Sequence, residues 1–206
     1  MGKQDAQVDV LHYKELIKHP NKMIRERWTQ AGINEFARIT KGHGAIEGLD
    51  VVTFIPRHEM RVEKNATYAR YVVHYWPEKD EPWRLRITCE GDKLDYHGNT
   101  TTHSVSMEVI KQQLNNVVST PGARCATGDI SNMYLNSDLP EAEYVRFQME
   151  LIPKEYAQWN DLYAIATLDG FIYARVNKAF KQASKIVHDD LVEHLATAGY
   201  KKVELV

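Results

Sequence analysis

The stretch "CATGDISNMYL", Cys125 to Leu135, holds the residues best suited to chemistry. The run "GARCATGDI" reads as an apolar strand closing on Asp129. A carboxylate there projects from the sheet end. Magnesium takes hard oxygen ligands, and the main-chain carbonyl of Ile130 would supply a second. The same aspartate, followed by "ISNMYL", also reads as the N-cap of a helical turn. In isolation the stretch leaves both readings open. Two-metal chemistry at phosphate needs several carboxylates around ions about 3.5–4 Å apart, so Asp129 would require partners. Asp189 and Asp190 in "IVHDDLV" are the obvious candidates, and the pattern rejects them. Ile186, Leu191, Leu195 and Ala198 make one apolar helical face there, with no turn residue for a hairpin. That pair reads as a solvated helix face.

A second pair of residues is placed by strand alternation. "WRLRITCEG" alternates and places Arg84 and Arg86 on one strand face. A solvated strand face gives this pattern. Residues 57–93 hold eight Lys/Arg against seven Asp/Glu, so no strong electrostatic groove is evident from that stretch.

The elements that must position these residues follow from periodicity. "VLHYKELIKHP" reads as a helix ending at Pro20. "KMIRERWTQAGINEFARI" reads as a second, with Ile24, Trp28, Ala31, Glu35, Phe36 and Ile39 on a mostly apolar face and Trp28 as a core anchor. "KGHGAIEG" is a glycine-punctuated loop, and "DVVTFIP" a short strand. "ATYARYVVHYW" and "WRLRITCEG" form a hairpin around "PEKDEP". "SVSMEVIKQQLNNVVS" is an amphipathic helix. "NSDLPEAEYVRFQM" turns and returns as a strand. "LYAIATLDGFIYARV" reads as strand, turn at Asp169–Gly170, strand. "KAFKQASKIVHDDLVEHLATAG" is a helix stopped by Gly199, and "YKKVELV" starts another strand. The irregular alternation predicts an α+β fold with a mostly antiparallel sheet and packed helices.

The chain has 206 residues, enough for one domain or two small lobes. Its net charge of -2 argues against strong autonomous nucleic-acid binding, without excluding a local basic surface. Cys89 and Cys125 both lie in apolar runs and read as buried thiols. Two cysteines are too few for a disulfide scaffold or a zinc site. The N-terminus has no apolar signal core, and no run approaches a membrane span. An intracellular protein, cytoplasmic or nuclear, is expected. No phosphate-loop or dinucleotide glycine pattern is present.

"RCATGDISNMYLNSDLPEAEYVRF" resembles motif A of the reverse transcriptases of copia-type retrotransposons. That motif reads as an apolar strand, Asp, a Tyr or Phe followed by Leu-Asn, and then a leucine and acidic residues. The neighbours agree in order. "TYARYVVHYWPEKDEPWRLRITCEGDKLDYHG" is similar to the fingers hairpin, "NKAFKQASKI" to motif B, and "HLATAGYKKV" to the helix end and strand that follow it. Upstream, "RERWTQAGINEFARI" is similar to the helix before the fingers. The resemblance covers roughly residues 25–206, and the collinear order of its pieces carries it.

The resemblance implies a fragment of an RNA-directed DNA polymerase. Residues 1–50 would be an N-terminal helical segment, 51–118 a fingers-like hairpin and helix, and 119–206 a partial palm. Asp129 would bind Mg2+. Ile130 would lie beside the nucleotide, and Tyr134 would be the steric gate against a 2′-hydroxyl. Arg84 and Arg86 would lie along the triphosphate, with Gln182 near the nucleotide in the motif B position. Template-primer and dNTP would be the partners of the intact parent. The pattern also breaks. "KAFKQAS" lacks the Tyr-Gly pair before Lys-Gln, Ser184 replaces a proline, and the Asp-Asp strand is expected beyond Val206. Loss of a metal site removes several kcal/mol of transition-state stabilisation, a rate loss on the order of a thousandfold or more. The chain alone is therefore expected to be inactive and to bind magnesium weakly, and an incomplete palm sheet should favour self-association. The alternative is a non-catalytic remnant that binds nucleic acid or a protein.

Overall fold

The computed structural model describes residues 12–90, 105–135, 137–178 and 183–201. After a short helix, α1 (Tyr13–Leu16), comes the long α2 (Lys22–Ile39). Asn21 starts α2, its side-chain oxygen accepting from the N–H groups of Met23 at 2.9 Å and Ile24 at 3.4 Å. That satisfies donors a helix start otherwise leaves free. Trp28, Ala31, Phe36 and Ile39 are buried along one stripe, as the spacing predicts, and Glu35 is buried among them.

"KGHGAIEG", expected as a loop, closes into a small antiparallel pair, β1 (Gly42–His43) and β2 (Ile46–Glu47). Gly42 makes this possible: its φ is 96°, and a Cβ would meet the Ile46 carbonyl at 2.6 Å.

The main sheet has five strands: β3 (Val52–Ile55), β4 (Ala66–Tyr75), β5 (Trp83–Cys89), β6 (Asp138–Gln148) and β7 (Phe171–Lys178). Their spatial order is β3-β7-β6-β4-β5. All pairs are antiparallel except β4 with β6, where Ala66, Thr67 and Tyr68 face Tyr144, Val145 and Arg146 in parallel. The expected α+β class with a mostly antiparallel sheet holds, and the sheet draws strands from both sides of residue 118.

Strand alternation sends Phe54, Tyr71, Phe147 and Ile172 to the inner face, with Leu85 and Ile87 beside them. Helix α2 covers this face together with two later helices, α4 (Lys154–Trp159) and α5 (Leu162–Ile165), where Phe36 meets the rings of Phe54, Phe147 and Tyr156 at 5.4–6.4 Å among one another. Helix α1 closes the β5 end: Tyr13 stacks on Tyr71 at 5.5 Å, and its hydroxyl lies against Gly32 of α2. A Cβ on Gly32 would come within 2.0 Å of that oxygen.

Two expected strands are corrected. "GARCATGDI" is not a strand: residues 121–130 are exposed and lie outside the sheet, Cys125 included. Gly122, Ala123, Ala126, Thr127 and Gly128 bury too little apolar area to hold a strand on the sheet. Nor does "LYAIAT" form the leading limb of a hairpin. It contains α5 and a turn, in which the Thr167 N–H donates to the Phe171 carbonyl at 2.7 Å and Gly170 takes φ 81°. β7 has β3 on one edge and β6 on the other, so no edge is left for a third partner.

The remaining helices are α3 (Met107–Ser119) and α6 (Ala183–Thr197). Helix α3 forms where the sequence places it, with no residue buried; of the helix expected from residue 178, Lys178 instead ends β7, residues 179–182 lie outside the described residues, and α6 supplies the rest. Helix α6 buries Ala183 and Val187 and packs against the 3-10 turn Met133–Leu135. Asp189 lies on its solvated side, bonded to Lys185 and, at 3.2 Å, to His188. Gly199 ends the chain's last described turn with φ 87°. The final strand expected in "YKKVELV" falls almost wholly outside the described residues.

Candidate nucleic-acid interface

The outer face of the sheet is built from the alternate residues of the same strands. On β4 these are Tyr68, Arg70, Val72 and His74, and on β5 Arg84, Arg86 and Thr88. Register pairs Arg70 with Thr88, Val72 with Arg86, and His74 with Arg84. Farther across, Arg146 on β6 stands beside Tyr68 and Tyr173, and Arg175 on β7 beside Tyr144. From Tyr144 onward on β6 and across the paired residues of the other strands, this face carries Arg70, Arg84, Arg86, Arg146 and Arg175, with no Asp or Glu.

The acids that neutralise this region in the sequence sit elsewhere. Glu59, Glu63, Glu78, Asp80 and Glu81 occupy the connections, and Glu90, just past β5, pairs with Arg70 at 3.5 Å. Glu81 is turned toward α2. It accepts from the Asn34 amide at 2.8 Å and is bonded to Arg38, which lies 3.6 Å from Glu35. Glu35 in turn accepts from the backbone N–H of Ile87 on edge strand β5 at 3.2 Å. Burial raises the Glu35 carboxyl above the usual range, against the lowering effect of that bond and of the charges of Arg38 and Arg84. This network ties the hairpin's edge and turn to α2 and leaves its outer face to the arginines.

Rings hold several of these cations. Arg146 lies over Tyr68 at 5.5 Å and Phe171 at 5.0 Å, and Arg86 over Trp76 at 5.6 Å. Trp76 itself stacks on His74 at 4.7 Å. The Nε atoms of Arg84 and Arg146 are buried without a hydrogen-bond partner among the described residues. An unsatisfied buried donor costs about 1–3 kcal/mol. Guanidinium groups beside flat rings suit a sugar-phosphate chain, phosphates on the forks and bases on the π-faces.

Arg84 and Arg86 therefore stand together, on one face as the sequence predicts. Asp129 does not stand at a strand end. It lies in the exposed segment before a turn in which the Ile130 carbonyl accepts from the Met133 N–H at 3.3 Å and Asn132 takes φ 53°. Ile130 and Tyr134 are half-exposed, and Leu135 anchors this turn to the core. Among the described residues no three His, Cys, Asp or Glu side chains gather as a two-metal centre needs. Gln182 lies outside the described residues. Sequence reasoning missed Arg70, Arg146 and Arg175. The signal was present in strand parity, because Tyr68/Arg70 and Tyr144/Arg146 fall on the same alternate positions as Arg84/Arg86 once the register is known.

No protein-family model, curated protein or solved structure matches the chain. Among the described residues no helix is long and apolar enough to cross a membrane.

Proposed function

We propose that this chain engages nucleic acid through the arginine face of its sheet, as the fingers and partial palm of a copia-type RNA-directed DNA polymerase. The observation that carries this reading is the acid-free outer face, which includes the two arginines that the motif resemblance assigns to the triphosphate. Arg84 and Arg86 would bind phosphates, and His74 and Trp76 would offer a stacking surface beside them. In the intact parent, Asp129 and Ile130 would belong to the metal site and Tyr134 to the nucleotide pocket. No catalytic step is assigned to the 206 residues alone.

The test is fluorescence anisotropy with a labelled RNA–DNA template-primer over a series of salt concentrations. Binding should weaken steeply with salt. The paired substitution Arg84→Ala and Arg86→Ala should flatten the log–log salt slope by about two, roughly one per lost phosphate contact. A slope identical to wild type would overturn the assignment of these residues. Primer extension with magnesium, run beside Asp129→Asn, tests the catalytic side. Extension by the wild type alone would show that the chain is a complete enzyme.

A further inference from the structure

An open groove of about 900 Å3 lies between the segment after β3 and the end of α5. One bank carries the cations Arg57 and Arg61 with His58 between them, and the other runs along Ala164–Thr167. The rest of the lining is mostly aliphatic, with Pro56, Met60 and Val62 on the first bank and Ala164, Ile165 and Ala166 on the second. Among the described residues neither Arg57 nor Arg61 has a salt-bridge partner. Glu59 and Glu63 lie in the same segment but do not line the groove. The Arg57 guanidinium is steadied over the Tyr173 ring at 5.5 Å. Val62 on one bank and Leu168, next to the other, are both fully exposed. Large aliphatic side chains left in water on both sides of a cationic groove mark an interaction surface.

We propose that this groove docks an acidic peptide segment of a partner protein, with an apolar side chain seated between the banks and carboxylates on Arg57 and Arg61. The positive charge selects an anionic partner. The aliphatic walls would be wasted on a free phosphate. A nucleic-acid strand would want a ring to stack on, and Tyr173, the ring beneath Arg57, is buried. An open trench with exposed aliphatic rims suits an extended chain whose backbone stays partly in water.

The experiment titrates the whole chain into a fluorescein-labelled peptide of glutamates surrounding a central Leu-Phe pair, followed by anisotropy. A polyglutamate peptide of equal length and the labelled template-primer are run in parallel. The Leu-Phe peptide should bind at least tenfold tighter than polyglutamate. Arg57→Glu with Arg61→Glu should weaken it at least tenfold. Val62→Ser with Leu168→Ser should weaken it severalfold while template-primer binding stays unchanged. Because Val62 and Leu168 are fully exposed, that second pair keeps the test valid even where loss of Arg57 disturbs Tyr173. Three results would each overturn the proposal: no peptide binding, equal binding of polyglutamate, or peptide binding indifferent to both variants. If instead the Arg57/Arg61 variant loses template-primer binding and the peptide fails to bind, the groove belongs to the nucleic-acid face. Failure of template-primer binding with peptide binding intact would overturn only the polymerase reading.

Discussion

The two faces of the five-stranded sheet come from the same strands, taken at alternate residues, and they solve opposite problems. The inner face presents Phe54, Tyr71, Phe147 and Ile172 to α2 and is closed by aromatic contact. The outer face presents five arginines, several laid over rings, and no helix among the described residues seals its β4–β5 half. The main core lies on the first; on the second, among the described residues, only Ile55, Tyr144 and Tyr173 are buried as a smaller cluster, and the β4–β5 half stays open. The contrast also shows how a chain of net charge -2 can hold a basic surface. Acids in the connections, the helices and the start of β6 neutralise the sequence, while the β4–β5 half of the face keeps its arginines, with Glu90 reaching only Arg70.

The contrast can be broken most sharply at the thiols. Burial on the inner face pushes the Cys89 thiol up to about 12, whereas Cys125 is exposed. In the native protein at pH 8, Cys125 should react with a disulfide reagent at least a hundredfold faster than Cys89, because only the thiolate attacks. In denaturant the two should react alike. Equal native rates would mean that β5 is not packed as described. Next in size is Phe36→Ala, which should cost about 3–5 kcal/mol in urea unfolding. Arg86→Ala on the outer face should stay within about 0.5 kcal/mol. If the two cost the same, the division of labour between the faces fails. Gly32→Val should cost about 1–3 kcal/mol by overpacking, since its Cβ would collide with the Tyr13 hydroxyl and approach Pro153 at 2.9 Å. Tyr13→Phe should restore part of that loss, which a backbone-propensity effect would not allow.

The smallest effect is a pH slope. Glu35 is raised in the folded state, so between its unfolded and folded values the native protein holds more protons than the unfolded chain. Its contribution to stability is therefore fully present below the unfolded value and is lost as pH rises through the folded one. Stability measured across mildly acidic pH should fall with rising pH by an amount that Glu35→Gln removes. A slope unchanged in that variant would assign the linkage to another group.

Much of this was legible in the sequence. The boundaries of α2, β4, β5 and α3 follow the apolar periodicity, and Trp28 is the buried anchor its spacing predicts. The pairing of Arg84 with Arg86 was legible because period-2 alternation is local. The additions of Arg146 and Arg175 were not, since they depend on β6 lying beside β4 and β7 beside β6, and strand order is a tertiary fact. The strand expected before Asp129 failed for a related reason. A short run of small residues has strand-like pattern but too little apolar area to compete for a place in the sheet. The hairpin expected at Asp169–Gly170 failed because its turn was read correctly and its partner was not.

The parallel pairing of β4 with β6 has a consequence for how the protein is made. Helix α2 and the β4–β5 hairpin can assemble as soon as Cys89 has been synthesised, but the other edge of β4 finds its partner only when Tyr144–Arg146 emerge. At ~5–20 residues per second of synthesis, that edge stays unpaired on the ribosome for several seconds. During that interval its row of free amides and carbonyls is open to a neighbouring nascent chain. Slower translation across the intervening segment should therefore lengthen this exposure and lower the yield of correctly folded protein.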